Sequence, residues 1–443
     1  MSVSIMLFTS DLRVHDQPAL RAAAAGADEL VPLFVVDSGV RKARFDAPNR
    51  RAFLADCLAS LDAGLHALGG RLVIRTGEVV EQVCRVVVES GARQVHLSAG
   101  VSAYAASREE RLREALGPLR CALHVHDGVI TALPPGRITP AGRDHYAVFT
   151  PYLRRWEAAG VRGTVAVPPA IRVPELAGHP LPRRSAVKDA APAVAEGGEE
   201  EGRRRLRAWL RDTSAGIEAY AELHDDLAGD ATSRLSPHLH FGTLSAAELV
   251  NRARAKGGPG AEAFVRQLAW RDFHHQVLAA RPDASHADYR PRGDRWRRDE
   301  KEITAWKAGR TGCPIVDAAM RQLLHEGWMH NRGRLLAASY LTKTLSVDWR
   351  IGARHFLDHL VDGDIANNQL NWQWSAGTGT DTRPNRVLNP LAQARRHDPR
   401  GDYVRRWLPE LADLEGPAVH EPWKLDGLER ARLDYPDPLT TDR

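Results

Sequence analysis

Cysteine is scarce in this chain. Its four cysteines, Cys57, Cys84, Cys121 and Cys313, are widely spaced and form no CxxC pair, so neither a disulfide framework nor a zinc or iron-sulfur site is indicated. Long apolar runs are missing too. Val3 to Phe8 is too short to span a bilayer, has no basic residue before it, and runs into Asp11, Arg13, His15 and Asp16. It reads as a first strand, and the chain as a cytoplasmic protein without a membrane role. That strand leads into Thr9-Ser10-Asp11-Leu12-Arg13 and not into a glycine-rich turn, which excludes the dinucleotide fingerprint and the P-loop. Tryptophan is absent from the first third; all eleven lie after Phe149. No metal site, nucleophile elbow or carboxylate dyad stands out, so an enzyme built on this sequence would leave the difficult chemistry to a cofactor.

What is present fits a multidomain globular protein, with 43% apolar and 26% charged residues. The net charge of +5 hints at an anionic partner, and its distribution says more than its size. Arginines crowd the second half, at 203–205, 290–298, Arg332, Arg334, Arg383, Arg386, Arg395, Arg396, Arg405 and Arg406, several of them near tryptophans. Phosphate neutralisation beside stacking aromatics would use that mixture. Ordinary pairing with nearby Asp and Glu accounts for many of them, Arg203 to Arg205 included.

The first third alternates apolar runs (residues 3–8, 30–36, 71–74, 94–97 and 121–125) with helical periods, which predicts a doubly wound parallel sheet covered by helices. Its best helix runs from about Asn49 to Leu68 on a stripe containing Phe53, Cys57, Leu58, Leu61 and Leu65, ended by Gly69-Gly70. We divide the chain into an α/β domain over 1–130, an interdomain connector over 131–202 rich in proline and acidic residues, and a mainly helical domain over 203–443. In the last, Ser245 and Glu248 form a capping box and Pro314 suits a first helical turn.

The most informative run is 362–374, DGDIANNQLNWQW, which packs carboxylates, amides and indoles into thirteen residues. It has too many hydrogen-bonding groups for an ordinary core and too many large aromatics for a solvated face. A buried, planar, polar ligand suits it. Gln267, Trp270, Arg271 and His274 fall at i, i+3, i+4 and i+7 on one helix face, and Asn331, Arg334, Leu335 and Ala338 do the same on another. Two such faces could meet over one cavity. Thr232-Ser233-Arg234-Leu235-Ser236-Pro237 offers hydroxyls and a cation before a helix, suited to a phosphate. Taken alone, that motif reads better as helix capping by Ser236.

Together these segments resemble the photolyase/cryptochrome flavoprotein family, and closely the bacterial class I cyclobutane pyrimidine dimer photolyases. The resemblance rests on 10–16, 149–152, 232–236, 270–273, 312–321, 327–332 and the run from Asp362 to Asp381, in the same order. It implies an α/β antenna domain, a long connector and a helical domain holding a U-shaped FAD. Tyr220, Thr232, Ser233, Arg234, Leu235 and Ser236 would hold its phosphates and adenine side. Arg271, Asn331, Arg334, Asp362, Asp364 and Asn368 would surround the flavin and ribityl chain, with Asn368 tuning the flavin and Arg334 paired with Asp362.

The implied reaction is light-driven electron transfer from reduced FAD to a flipped-out pyrimidine dimer in UV-damaged DNA. Trp270, Trp374, Asn331, Gln267 and Leu335 would receive the lesion, and Arg332 a neighbouring phosphate. Trp372, Trp349 and Trp296 would carry electrons to the flavin. The resemblance implies a monomer without an obligate protein partner, bound to the nucleoid when on DNA. Gln267 stands where many dimer photolyases have Glu and where 6-4 photolyases and animal cryptochromes have Gln, so 6-4 repair and blue-light sensing are the alternatives. Asn331 points back to dimers; Leu335 replaces a frequent Met, and His397 an aromatic. For the antenna, Asp37 marks a pocket for 8-hydroxy-5-deazaflavin, with methenyltetrahydrofolate or no antenna as alternatives, since Ala99 and Gly100 occupy places where polar contacts are usual.

Overall fold

A computed structural model describes residues 1–440. Five parallel strands, β1 (Val3–Phe8), β2 (Glu29–Asp37), β3 (Val73–Gly77), β4 (Gln94–Ser98) and β5 (Ala122–His126), form one sheet in the order β3-β2-β1-β4-β5. The predicted strands are all present, and the sheet is doubly wound. Helices α1 (Pro18–Ala25), α2 (Ser38–Lys42), α3 (Pro48–His66), α4 (Val79–Ser90) and α5 (Ala103–Leu116) connect them. The β1 residues alternate between two cores: Ile5 and Leu7 pack with valines of α4, while Met6 and Phe8 pack with Phe53, Leu58 and Leu61 of α3. A parallel strand covered on both faces needs that continuous apolar character. Cys57, Cys121 and Cys313 are buried free thiols, and Cys84 is half-buried.

The segment between the domains is not a loose tether. Its helix α6 (Phe149–Ala159) belongs to a core of the helical domain through Phe149, Tyr152 and Trp156, whereas Ile171 and Val194 pack with the α/β domain. Buried Asp272 accepts from the backbone of Ala132 and Leu133 and from Trp156 Nε1, which fixes the path of the segment.

The helical domain runs through α7 (Glu199–Arg211), α8 (Tyr220–Leu223), α9 (Ser236–His240), α10 (Ala246–Lys256), α11 (Gly258–Ala280), α12 (Glu300–Ala308), α13 (Pro314–Glu326), α14 (Asn331–Ser339), α15 (Trp349–His359) and α16 (Ile365–Ala376). Pro314 opens α13 as expected. Ser245 caps α10 by accepting from Glu248 N, but the Glu248 carboxylate pairs with Arg203 instead of returning to Ser245, so only half the capping box forms. Arg204 and Arg205 pair with Glu201, in keeping with their solvated reading.

The two domains share apolar packing and buried polar ties. Phe241, Trp328 and Val361 join the core under β1. Arg13, fully buried, donates to the carbonyls of Asp16, Val129 and Gly242. Arg50 donates to the carbonyls of Leu357 and Leu360 at the end of α15. Gly242 has φ +66° and lies so near the β1 exit loop that a Cβ would sit 2.1 Å from the Ser10 carbonyl oxygen. Only glycine meets both demands.

Candidate active site

The amphipathic faces read from the sequence converge on a cavity of about 420 Å³. That size falls within the usual range for cofactor sites. From α11 come Gln267, Trp270, Arg271 and His274; from α14 come Asn331, Arg334, Leu335 and Ala338. Helix α16 contributes Asn367, Asn368, Asn371, Trp372 and Trp374, and the turn before it contributes Asp362 and Asp364. Tyr220, Ser233, Leu235 and Ser236 close one side. Of the remaining residues predicted for this site, Thr232, Arg234, Arg332, Trp349 and Trp296 do not line the cavity.

The structure explains several of those exceptions. Arg234, at φ +49°, directs its guanidinium to Asp230 and Glu326 and lies over the Trp328 ring. Arg332 is held by both oxygens of Asp225. Thr232 is half-buried, and its buried Oγ1 has no partner in the protein. Ser236 is not a helix cap. It lies inside α9, whose preceding residue Leu235 makes no side-chain cap, and the Ser236 hydroxyl accepts from Trp328 Nε1 at 3.2 Å. Capping is lost because the chain enters α9 with Leu235 already helical (φ −89°, ψ −1°), leaving no extended cap residue.

At the cavity wall, Arg334 donates to Asp362 Oδ2 at 2.8 Å and to the Met329 carbonyl at 2.8 Å. The second Asp362 oxygen, Oδ1, is buried without a partner. Asp364 caps α16 by accepting from Asn367 N at 2.7 Å. Burial would raise its pKa, but His275, 3.4 Å away, and Arg271 hold its carboxyl well below the usual carboxylate range. The Asn368 amide donates to the Ala353 carbonyl and to Gln369 Oε1, so only its oxygen remains for a ligand. His274 bonds Asn367 through Nδ1, and its Nε2 is buried and unpartnered. His397 is buried, and its carbonyl accepts from Leu227 N.

Two of the three predicted tryptophans are buried and the third reaches the surface. Trp372 is buried on the cavity wall with Nε1 unpartnered, Trp349 is fully buried, and Trp296 is partly exposed. Trp349 Nε1 donates to Asp288 Oδ1 at 2.8 Å. Trp372 meets Phe356 edge-on at 4.9 Å and Trp306 at 6.0 Å. Nothing in the local pattern around Trp306 distinguishes it from an ordinary core residue. At the cavity mouth Trp270 stacks on Phe149 at 3.7 Å, and Arg386 lies over the Trp374 ring at 5.2 Å.

A second cavity of about 330 Å³ opens at the carboxyl ends of β1 and β2 and against α5, beside the β1/β4 switch point where open α/β sheets bind ligands. Asp37 lies in it, but both its oxygens are engaged, one by Gly39 N and the other by the Tyr104 hydroxyl. Ala99 is outside the lining. Gly100 is inside, and a Cβ there would meet the Ala105 Cβ at 2.3 Å, so α5 packs too closely for the polar side chain expected at that place. Arg108, one turn beyond Tyr104, supplies the polarity instead: it is half-buried, and its buried Nε has no partner. Sequence reasoning missed it, although Tyr104 and Arg108 are spaced to share a face. His240, Arg271 and Asp364 line both cavities and form a common wall.

Among the described residues there is no cluster of His, Cys, Asp and Glu able to hold a metal ion, and no helix long and apolar enough to cross a membrane. Residues 4–174 match the family model for DNA photolyase, and residues 264–442 match the model for the FAD binding domain of DNA photolyase. A deoxyribodipyrimidine photo-lyase from Streptomyces griseus is 68% identical over 99% of this chain and 96% of its own length. The Escherichia coli enzyme of the same name is 34% identical over 99% and 96%. A class III photolyase structure from Agrobacterium tumefaciens superposes with a TM-score of 0.90 at 30% identity, covering 99% of this chain and 94% of the other. A Synechocystis cryptochrome superposes with a TM-score of 0.91 at 26% identity, covering 99% and 96%. With both models spanning most of its length and relatives aligned along nearly all of it, this chain belongs to the DNA photolyase family.

Proposed function

We propose that this protein is a light-driven DNA repair lyase that splits cyclobutane pyrimidine dimers in UV-damaged DNA, with FAD in the larger cavity. The observation that carries the reading is the meeting of two aromatic walls, Trp270 and Trp374, over a floor built by Arg334, Asp362 and Asn368. Buried polar atoms without protein partners on cavity-lining residues, Asp362 Oδ1, His274 Nε2 and Trp372 Nε1, suit a ligand with many hydrogen-bonding edges. Reduced FAD, when bound, supplies an electron on absorbing light. The chain supplies everything else.

Tyr220, Thr232, Ser233, Arg234, Leu235 and Ser236 take the phosphate and adenine side; Arg271, Asn331, Arg334, Asp362, Asp364 and Asn368 take the flavin and ribityl side. Arg334, already tied to Asp362, can offer Nη1 to a ligand carbonyl while keeping the buried carboxylate paired. Asn368 offers an acceptor oxygen and no free N–H, so it can hold a ligand N–H without delivering a proton. Trp270 and Trp374 give apolar faces to a flipped lesion and exclude water, while Gln267, Asn331 and Leu335 line its edge. Loss of normal pairing at a lesion lowers the cost of flipping it. Arg386, which lies over Trp374 and, like Arg383, forms no ion pair among the described residues, suits a backbone phosphate; Arg332, tied to Asp225 through Nε and Nη2, has Nη1 to offer one. Trp372, Trp349 and Trp296 carry electrons inward from the surface, which only Trp296 of the three reaches.

Gln267 favours a second reading, 6-4 repair or light sensing, because an amide cannot stabilise a reduced dimer by charge or by proton donation. Purified, photoreduced protein should repair a dimer-containing oligonucleotide under blue light. Bound FAD without repair defeats the proposal, and repair of a 6-4 oligonucleotide alone reverses the substrate.

The second cavity suits an antenna chromophore. The half-buried Arg108 favours an acidic, conjugated one such as 8-hydroxy-5-deazaflavin over methenyltetrahydrofolate or an empty site. A Sulfolobus tokodaii photolyase structure, matched at a TM-score of 0.85 and 30% identity, is described as holding two FAD molecules, which adds a flavin to the candidates. The absorption spectrum of the extracted chromophores decides among them. We place the protein in the cytoplasm, working on DNA as a monomer.

A further inference from the structure

His274 stands on α11 between the two cavity walls, 3% exposed, with its ring centroid 5.6 Å from that of Trp270. Its Nδ1 lies 3.0 Å from Asn367 Oδ1. Asn367 has no freedom to turn. Its Nδ2 donates at 2.8 Å to Asp364 Oδ1, which also accepts from the Asn367 backbone N–H at 2.7 Å. With the amide hydrogens drawn toward a carboxylate, the amide oxygen must face the imidazole, and only a ring that carries its proton on Nδ1 can complete the bond. Burial keeps that ring neutral, pushing its pKa down to about 4, despite the raising influence of Asn367 and Asp364; neighbouring His275 lowers it further. Nε2 is therefore a bare lone pair. It is buried and has no partner in the protein, and His274 lines the cavity. An acceptor left in that state costs free energy unless something in the cavity donates to it.

We infer that His274 Nε2 recognises an O–H or N–H donor on the molecule seated in this cavity, and that Asn367 and Asp364 are positioning residues that fix its polarity. The inference rests on the cavity being the flavin and lesion site. A hydroxyl of the flavin side chain and the imide N–H of a flipped pyrimidine are the two donors of this chemistry available there. A ring in the other tautomer would present N–H to either donor and repel it, so the Asp364-Asn367-His274 relay excludes the wrong orientation as well as favouring the right one.

Imidazole nitrogens report their protonation and hydrogen bonding directly in ¹⁵N NMR. Histidine-labelled protein, with His274→Phe used to assign the signal, is measured without ligand, with FAD in the dark, and then with a dimer-containing oligonucleotide. Expected is an unprotonated Nε2 that moves to lower frequency in one of the two loaded samples, which identifies the donor. His274→Phe should raise the dissociation constant of that same ligand about tenfold, read by flavin fluorescence or by oligonucleotide binding. A protonated Nε2 in the free protein, or an unmoved signal while FAD and oligonucleotide both bind normally, overturns the inference and leaves the function standing. Failure to bind either one removes the cavity reading, and this inference with it. If His274→Phe does not fold, His274→Gln serves for both the assignment and the binding measurement.

Discussion

A Cβ on Gly352 would lie 2.1 Å from Cη2 of Trp372, so this indole rests directly on the backbone of α15. The same helix begins with the buried Trp349, one turn earlier. Gly352→Ala should force the Trp372 ring away, at about 1–3 kcal/mol of stability. A lowered melting temperature together with slower flavin photoreduction is expected. Unchanged photoreduction in a destabilised protein would show that the seat of Trp372 has no bearing on electron supply.

Trp349→Phe removes an indole whose N–H is bound to Asp288 and keeps most of the packing volume. Photoreduction of the flavin should slow sharply, while protein reduced chemically beforehand repairs dimers at nearly the wild-type rate. Equal loss in both assays rejects the division between electron supply and repair.

Removing Arg334 leaves the Asp362 carboxylate, whose side chain is 3% exposed, without its partner. Arg334→Met should cost about 3–5 kcal/mol and release FAD on gel filtration. Adding Asp362→Asn should recover part of the stability. Failure of the second change to restore any would mean that the pair does not bear the load assigned to it.

Gln267→Glu places a carboxylate on the face of α11 that borders Trp270 and lines the cavity. Repair of cyclobutane dimers per absorbed photon should rise, with little change in FAD binding. A fall in dimer repair would favour the 6-4 or sensing alternative.

Burial pushes His238, His240, His274 and His330 down to about 4, against about 6.5 for an exposed histidine. Between those values the unfolded chain binds more protons than the folded one, so stability is full above about pH 6.5 and declines as pH falls toward 4. Each histidine adds a slope of about 1.4 kcal/mol per pH unit. His330 caps α14 by accepting from Arg332 N, a duty that Asn performs well, so His330→Asn should flatten the acid limb by about one proton in urea unfolding. An unchanged limb would show that His330 is not among the groups that titrate.

The sheet was legible because parallel strands buried on both faces must be almost wholly apolar, as residues 3–8, with Ser4 the one polar member, and 30–36 are. The cavity was legible because helical spacing alone put Gln267, Trp270, Arg271 and His274 on one face. What escaped depended on long-range geometry. Helical backbone at Leu235, the pairing of Arg332 with Asp225, and the close packing of Gly100 on Ala105 arise from elements that meet only after folding. Arg108 escaped for a different reason: an arginine on an amphipathic helix reads as solvated until the neighbouring strand ends enclose it. The connector's two allegiances, Trp156 to one core and Ile171 to another, left no periodic signal in a stretch of proline and mixed charge.

His240, Arg271 and Asp364 separate the two cavities by the thickness of single side chains. A partition that thin makes the occupants thermodynamic neighbours. A ligand that stiffens the partition from one side lowers the ordering cost met by the ligand on the other, and linkage requires the benefit to be returned by the same factor. Retention of the flavin during purification then becomes a report on whether the chamber behind it is filled.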